Sequence, residues 1–400
     1  MHYISDLAYM AFGKQSSAVA AVIPDVFVPL MEEDMKVDPK NERVKQIVGI
    51  NWTSNKMLQG LREVGGSFTI QCDPENIGHI LNMALVKDTT SGSGAVGYTH
   101  PFLEDGEPEF YTIDIVKGNA VQRFVGCQIT KVEFSFQDGH LIAKCDVIAR
   151  HAFSTATLKT ALTGAGMVAV VLAEGYDPEP ALGLVAGDVI QVQADDGSFT
   201  DVTIATIVTG NKSVTMSATN VTASIGALIS LKAQTPSYAA LKRPFKFGQC
   251  LVGFGADQTA ADANVASYAL ATPVDDFKFT INRNITRRRA TGKNDALTLI
   301  GTGDAELTVK KLFEDAEQQQ QWMDIAKKAC SILFTGDNIA TTYYCSLAIK
   351  LHNIKPSDHG NKLSKGEYVF DETNFVVEYD DTDAMAMEVT LVNATAGTEY

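Results

Sequence analysis

Residues with histidine, cysteine or carboxylate side chains most often bind metals or catalyse proton transfer. In this sequence the histidines and cysteines are scattered and form no recognisable motif. None of the seven histidines forms an HxH or HxxxH pair. His352 and His359 lie close to Asp358, but that spacing is typical of a solvated polar loop. The six cysteines show no CxxC spacing, which favours buried thiols over a disulfide or a metal site. We expect no metal and no cofactor.

Runs of acidic residues offer the other possible catalytic groups. Glu32-Glu33-Asp34 and Asp380-Asp381 with Asp383 could supply paired carboxylates, but each run has the turn-like context of a solvated surface. No GxSxG or Walker A motif is present. The glycine-rich stretch 89–97 lacks the strand-before, helix-after setting of a phosphate loop, and we predict a mobile loop there. The sequence therefore predicts a protein that is not an enzyme.

Two basic clusters stand out in a chain whose formal net charge is −15. One is in the segment 284–302, and the other is in the segment 42–65. Their residues are Arg287, Arg288 and Arg289 in the first and Arg43, Lys45, Lys56 and Arg62 in the second. Two interpretations stay open: the cations solubilise a loop, or they dock against an acidic surface of another subunit.

Bulk properties exclude several classes of protein. An acidic chain repels nucleic acid at long range, so sequence-specific DNA or RNA binding is not expected. A hydrophobic fraction of 45% is enough for a buried core. No run of 18 apolar residues occurs, and the first residues lack the pattern of a secretory signal. We therefore expect no membrane insertion.

The elements that position these groups are organised as an internal repeat. Residues 10–41 align with residues 252–283 without a gap, and Phe12-Gly13 falls on Phe254-Gly255. The repeated unit is roughly 160 residues long and occurs only twice, which is too long for a solenoid repeat and indicates a domain duplication. The predicted divisions are a first copy at 1–163, a small inserted domain at 164–235 and a second copy at 236–400.

The clearest local element is a hairpin at Asp138-Gly139, a preferred two-residue turn. That turn pairs Phe136 with Leu141 and Phe134 with Ala143 on an apolar face. It also pairs Glu133 with Lys144 and Lys131 with Asp146 on the opposite face, where opposite charges meet.

Each copy also contains a predicted step from a strand to a helix. Ser67–Cys72 leads to a helix with Asp73 as N-cap, and Glu306–Lys310 leads to a helix at Phe313–Ala329. Further strands are predicted at 342–351 and 367–379, joined by a loop at 354–366. Short strands are predicted in the middle segment at 188–193, 200–208 and 213–217. The fold class is mainly β: two tandem antiparallel β-sandwich domains, each with one flanking helix, and a small all-β inserted domain.

The hairpin region Gly126–Ala149, GCQITKVEFSFQDGHLIAKCDVIA, resembles the major tail tube proteins of long-tailed, siphophage-like bacteriophages. The Phe-Gly start of each copy and the step after Gly-Ser-Phe-Thr-Ile carry the same resemblance. It implies a β-sandwich with a flanking helix whose inner sheets join those of neighbours into a channel. It also implies a long loop, here 42–65 and 284–302, that reaches the adjacent ring.

The resemblance further implies a structural virion protein that forms stacked rings. Two fused domains per chain imply three chains in a ring with pseudo-sixfold symmetry, which would build the channel for genome delivery. The implied partners are other copies of the chain, tape-measure, tail terminator and baseplate proteins, and DNA in transit only. The implied location is the tail of a virion, after synthesis in the host cytoplasm, with the inserted domain as external decoration. A ring-forming baseplate protein and a carbohydrate-binding β protein are the alternatives.

Overall fold

A computed structural model of the chain describes residues 8–40, 42–46, 54–58, 62–94, 96–104, 106–164, 167–173, 179–208, 210, 212–238, 242–288, 297–313, 317–340, 342–362, 369–396 and 400. Within these residues the chain is mainly β, with antiparallel strand pairing throughout. None of the helices in these ranges is long and apolar enough to cross a membrane.

The elements fall into three consecutive groups along the chain. The first group comprises β1 (Tyr9–Lys14), β2 (Val26–Val28), β3 (Glu32–Glu33), β4 (Lys36–Asp38), β5 (Glu42–Gln46), β6 (Ser54–Leu58), β7 (Glu63–Gln71), α1 (Ile77–Ala84), β8 (Val86–Lys87), β9 (Ser91–Ser93), β10 (Gly97–Leu103), β11 (Tyr111–Lys117), β12 (Ala120–Gln137), β13 (His140–Ala149) and β14 (His151–Phe153). The middle group comprises β15 (Thr155–Thr157), β16 (Leu162–Thr163), β17 (Met167–Val171), β18 (Val189–Gln193), β19 (Phe199–Ile207), β20 (Ser213–Thr219), β21 (Thr222–Ala223) and β22 (Leu228–Leu231). The last group comprises a short 3-10 helix (Phe247–Gln249), β23 (Cys250–Gly255), α2 (Gln258–Val265), β24 (Asp276–Asn282), β25 (Thr286–Arg288), β26 (Leu297–Leu299), β27 (Asp304–Leu312), α3 (Glu317–Met323), β28 (Lys328–Ala340), β29 (Tyr343–Lys362), β30 (Phe370–Val377) and β31 (Met387–Asn393).

One long sheet runs through the first and last groups. Its strand order is β4–β7–β13–β12–β24–β27–β30–β29, and β3 lies beside β4 on the same edge of β7. Strands β12 and β29 are long enough to leave this sheet and enter a second one. The first cover sheet has the order β2–β1–β11–β12–β14. The second cover sheet has the order β23–β28–β29–β31–β10.

The apolar faces of these three sheets share one core. Phe12 and Phe124 of the first cover sheet join Phe68 and Phe134 of the long sheet in a single buried cluster. That cluster continues into the last group through residues such as Phe279. The alternation of inward and outward side chains along each strand is what makes one face of the long sheet apolar and leaves the other polar.

The middle group packs on the outer face of the first cover sheet. Tyr9 and Ala11 point away from the main core and join a second buried cluster with Val192, Ile204 and many other middle-group residues. Strands β15 and β16 pair with β22 and β21, so strand pairing within this group begins before residue 164. The division into domains at 163 and 235 stays a prediction.

The predicted hairpin is confirmed residue by residue. Phe136 pairs with Leu141, Phe134 with Ala143, and Lys131 with Asp146. The predicted strands of the middle segment are also present, as β18, β19 and β20.

Four predicted elements were wrong. The helix at 313–329 is shorter, α3, and Ala329 belongs to the buried strand β28 instead. The loop at 354–366 is strand β29 as far as Lys362, and the stretch 89–97 contains strand β9, which pairs with β10. The N-cap of α1 is Asn76, because Asp73 instead accepts hydrogen bonds from the backbone of Glu75 and Asn76 in the turn before it.

Candidate assembly interface

The first and last groups meet at a junction inside the long sheet. There Lys131 to Phe134 of β12 pair with Asn282 to Phe279 of β24. On the apolar face, the rings of Phe134 and Phe279 stack with centroids 6.3 Å apart. On the polar face, Lys278 Nζ lies 2.8 Å from Glu133 Oε2. Backbone pairing, an aromatic pair and an ion pair together make this junction continuous with the rest of the sheet.

The strands on the two sides of this junction follow the same order. On one side the order is β4–β7–β13–β12, and on the other it is β24–β27–β30–β29, each with the corresponding connections along the chain. Strand β24 therefore holds the position in the second set that β4 holds in the first. Strand β29 correspondingly holds the position of β12.

The two ends of the long sheet are open edges within the described residues. Strand β4 pairs with β7 on one side, and the end of β29 after Pro356 pairs with β30 on one side. The Asp34 amide donates to the Ser67 carbonyl 2.8 Å away, so alternation directs the amide of Val37 away from β7. Open edges of this kind are templates for pairing with another chain.

The polar face of the long sheet carries both signs of charge. Lys131, Lys144, Lys278 and Lys310 alternate with Glu133, Asp146, Asp276, Glu306 and Glu372. Partial burial raises the pKa of Asp276 above its usual value. Over these strands the face is therefore hydrophilic.

A second junction joins β10 of the first group to β31 of the last. Tyr98 to Leu103 pair with Asn393 to Glu388. Beyond β31, the side chain of Tyr400 is 2% exposed and inserts beside α1. Its ring contacts those of His79 and His100, each at a centroid distance of 4.8 Å.

Polar contacts fix this tyrosine in place. Its hydroxyl donates to the Glu75 carbonyl and accepts from Asn393 Nδ2, both at 2.7 Å. Lys14 and Lys87 donate to its main-chain oxygen at 3.2 and 2.9 Å. Tyr400 thus binds beside the helix of the first group.

Five of the seven basic residues predicted from the sequence lie on two pairs of strands at one end of the long sheet. The segment 42–65 contains the hairpin β5–β6, on which the backbone of Arg43 pairs with Met57 and that of Lys45 with Asn55. The segment 284–302 contains the hairpin β25–β26. Both predicted loops are therefore β-hairpin arms. Lys56 lies on β6, Arg62 is half-buried at the base of the first arm, and Arg289 lies outside the described residues.

The structure brings the bases of the two arms together. Arg287 donates from Nη2 to the Val64 carbonyl, and its Nη1 lies 4.0 Å from Glu63 Oε2. Lys40 Nζ lies 3.0 Å from the same carboxylate. Arg287 is therefore engaged within its own chain, whereas Arg288 is exposed on the arm. An inter-ring role for all seven predicted residues stays a prediction.

A buried cluster of three charged side chains was missed by sequence reasoning. Arg123 of β12 forms a bidentate pair with Asp114 of β11, at 2.7 and 2.9 Å, and its Nη1 lies 2.6 Å from Asp188 Oδ2. Burial raises the pKa of Asp114, and the adjacent guanidinium offsets part of that rise. The cluster joins the first cover sheet to the middle group. Its signal was the presence of Asp114 and Arg123 inside apolar strands.

No group of metal-binding side chains occurs among the described residues. Cys72, Cys127, Cys145, Cys330 and Cys345 are buried free thiols. Burial raises the pKa of each of them, which keeps the thiols protonated and unreactive.

Comparison with known proteins identifies the region that carries the family signal. Residues 7–219 match the family model described as phage tail tube protein. The match covers the first group and most of the middle group, and it does not extend to the last group. No curated protein matches.

Among solved structures, one similar chain comes from the "cryo-EM structure of the anti-feeding prophage (AFP) baseplate, 6-fold symmetrised". It is 13% identical and has a TM-score of 0.23, and the alignment covers 39% of this chain and 97% of that one. A TM-score this low supports no argument about arrangement.

Proposed function

Because this chain belongs to the phage tail tube protein family, we propose that it forms the tube by extending its long sheet from chain to chain around a ring. As a family member it is a structural component of the virion tail. In the proposal, the edge strand β29 of one chain pairs with β4 of the next. The observation that carries the proposal is the internal junction, where β12 pairs with β24.

The repeated strand order supports three chains in each ring. If β24 corresponds to β4 and β29 to β12, each chain contributes two similar sectors of the ring. Three chains then supply six sectors and close the sheet into a barrel with no edge left, which removes the hazard of open edges. The sequence repeat at 10–41 and 252–283 supports the same correspondence.

The polar face of the long sheet is proposed to line the lumen. Its hydrophilic side chains suit a wall along which DNA passes without binding. The two hairpin arms leave the sheet at the same end, and they are proposed to reach the adjacent ring, where the basic residues dock. Stacking of this kind is heterologous and does not close, so it produces a filament.

The proposal extends to the partners of a tail tube. A tape-measure protein inside the lumen and terminator and baseplate proteins at the two ends are the expected neighbours, in a long flexible tail without a sheath. The chain is expected to have no enzymatic activity and to be made in the host cytoplasm. A baseplate protein that forms closed, unstacked rings is the second candidate function.

A single edge substitution tests the proposed pairing. Val37→Pro removes an outward-facing amide from β4, and proline is tolerated at a solvent-facing position of an edge strand. We expect the monomer to stay folded and the critical concentration for assembly to rise by at least about tenfold, the equivalent of about 1.4 kcal/mol. Sedimentation of the purified protein over a concentration series measures this change.

Val37→Ala is the matched control, because it truncates the side chain and keeps the amide. We expect Val37→Ala to assemble at close to the wild-type concentration. Equal assembly by the proline variant and the wild type would exclude β4 as the pairing edge.

A further inference from the structure

The two strand sets differ in how well their helices are covered. All eight residues of α1 are buried. The corresponding helix of the last group, α3, follows β27 as α1 follows β7, but it is largely uncovered. Trp322 is 38% exposed and Met323 56%, and Ile325, two residues beyond the helix, is 61% exposed. Leu312 and Phe313, at the end of β27, are also exposed.

The cover of α1 comes partly from the last group. The segment that follows β31 contributes Tyr400, whose ring atoms lie 2.4 Å from the position that a Cβ on Gly78 would occupy. Asn393 also donates to the Pro74 carbonyl at 2.7 Å, just before the helix. The end of β28 also reaches the first group, since Ile339 Cδ1 lies 2.7 Å from the Cβ position of Gly97 at the start of β10. The helix on one side of the internal junction is thus covered by elements from the other side.

The first group contains equivalents of the last-group elements that lie over α1. Strand β14 pairs with β12 as β31 pairs with β29, and β11 joins β12 as β28 joins β29. The segment after β14 is the start of the middle group. If one chain joins the next as the two groups join within a chain, two elements of the next chain are expected to lie over α3. They are the start of its middle group and its β11–β12 turn.

A groove lies at that place. It has a volume of about 590 Å³ and runs between the β11–β12 turn and the middle group. Val121, Leu228 and the half-exposed ring of Phe199 give it an apolar lining, and Asn119, Ser154 and Gln191 add polar atoms. An open apolar groove and an uncovered apolar helix are therefore expected to face each other across the junction.

We infer that α3 of one chain docks in the groove between the β11–β12 turn and the middle group of the next chain around the ring. Trp322 and Met323 pack against Phe199 and Leu228 of that chain. The occupant is a second copy of this protein, and the inference rests on the proposed ring. It gives the middle group a role in ring closure in place of external decoration alone.

Photo-crosslinking of the full chain tests this contact. Phe199 is replaced by p-benzoylphenylalanine, and chains of normal and heavy isotopic composition are mixed before assembly. After irradiation of assembled tubes, we expect crosslinks to the tryptic peptide 312–327 of a chain of the other isotopic composition. The control carries the probe at Val208, just beyond the opposite end of β19 and roughly 30 Å away at strand spacing. We expect no crosslink to that peptide from the control.

The outcomes separate the inference from the proposed function. Tubes whose Phe199 probe reacts elsewhere, or only within its own chain, would overturn the docking and leave the ring intact. A protein that forms no tubes under any condition would overturn both. As a second measurement, we expect Met323→Glu to raise the critical concentration by about tenfold or more. The matched control Ile225→Glu, at a position 70% exposed on the middle group, should leave it unchanged.

Discussion

Arg123→Ala is expected to lower the free energy of unfolding by about 3–5 kcal/mol, because it leaves two buried carboxylates without their partner. The side chains of Arg123, Asp114 and Asp188 are 1%, 6% and 3% exposed. At such burial the guanidinium, and not bulk water, balances the charge of both carboxylates in the native protein. Asp188 also accepts a hydrogen bond from the Val185 amide at 2.7 Å, so the loss extends into the middle group. Urea denaturation followed by circular dichroism measures the change.

The matched control for this substitution is an exposed ion pair of the same region. Lys232 pairs with Asp201 at 2.5 Å, and both side chains are more than 40% exposed. Lys232→Ala is expected to cost less than about 1 kcal/mol. An Arg123→Ala variant as stable as Lys232→Ala would show that the cluster does not hold the middle group to the first cover sheet.

Tyr400→Ala is the second substitution with a large expected effect. Removing a buried aromatic side chain and its hydrogen bonds is expected to cost about 3–5 kcal/mol. Tyr400→Phe keeps the ring but leaves the Glu75 carbonyl and the Asn393 amide without the hydroxyl, which is expected to cost about 1–3 kcal/mol. Burial lowers the pKa of the adjacent His79 to about 4, so its ring is neutral at pH 7 in the native protein. Thermal unfolding at pH 7 ranks the three proteins.

An exposed tyrosine provides the control for this series. Tyr379 is 56% exposed, and Tyr379→Ala is expected to change stability by less than about 0.5 kcal/mol. If Tyr400→Ala matched Tyr379→Ala in thermal stability, the segment after β31 would not hold the first and last groups together.

Local sequence patterns predicted the parts of the fold that depend on neighbours in the chain. The Asp138-Gly139 turn fixes its own register, and each residue pair around it was therefore predictable. The helix α3 was overextended because Ala326 and Ala329 fit a helical period as well as the start of a buried strand. Short apolar stretches do not distinguish the two. Strand β29 was cut short because its polar residues past Ile354 resemble a loop.

The contacts that join the first and last groups could not be predicted, because they link residues that lie far apart in the sequence. The pairing of β12 with β24 joins residues about 150 positions apart, and the insertion of Tyr400 beside Gly78 joins residues more than 300 apart. The sequence predicted loops at 42–65 and 284–302, and the strand pairs within those segments were not foreseen. Their contact through Arg287 and Glu63 needed the strand order, which places both arms at one end of the sheet.

The rotational symmetry of the assembled tube is the measurement that tests the central proposal most directly. Cryo-electron microscopy of tubes formed by the purified protein, with symmetry determined from end-on views, provides it. We expect threefold symmetry, six similar lobes around the lumen, and a continuous inner sheet in which β29 of one chain pairs with β4 of the next. Rings with sixfold symmetry of whole chains, or rings whose inner sheets are not joined between chains, would contradict the proposal.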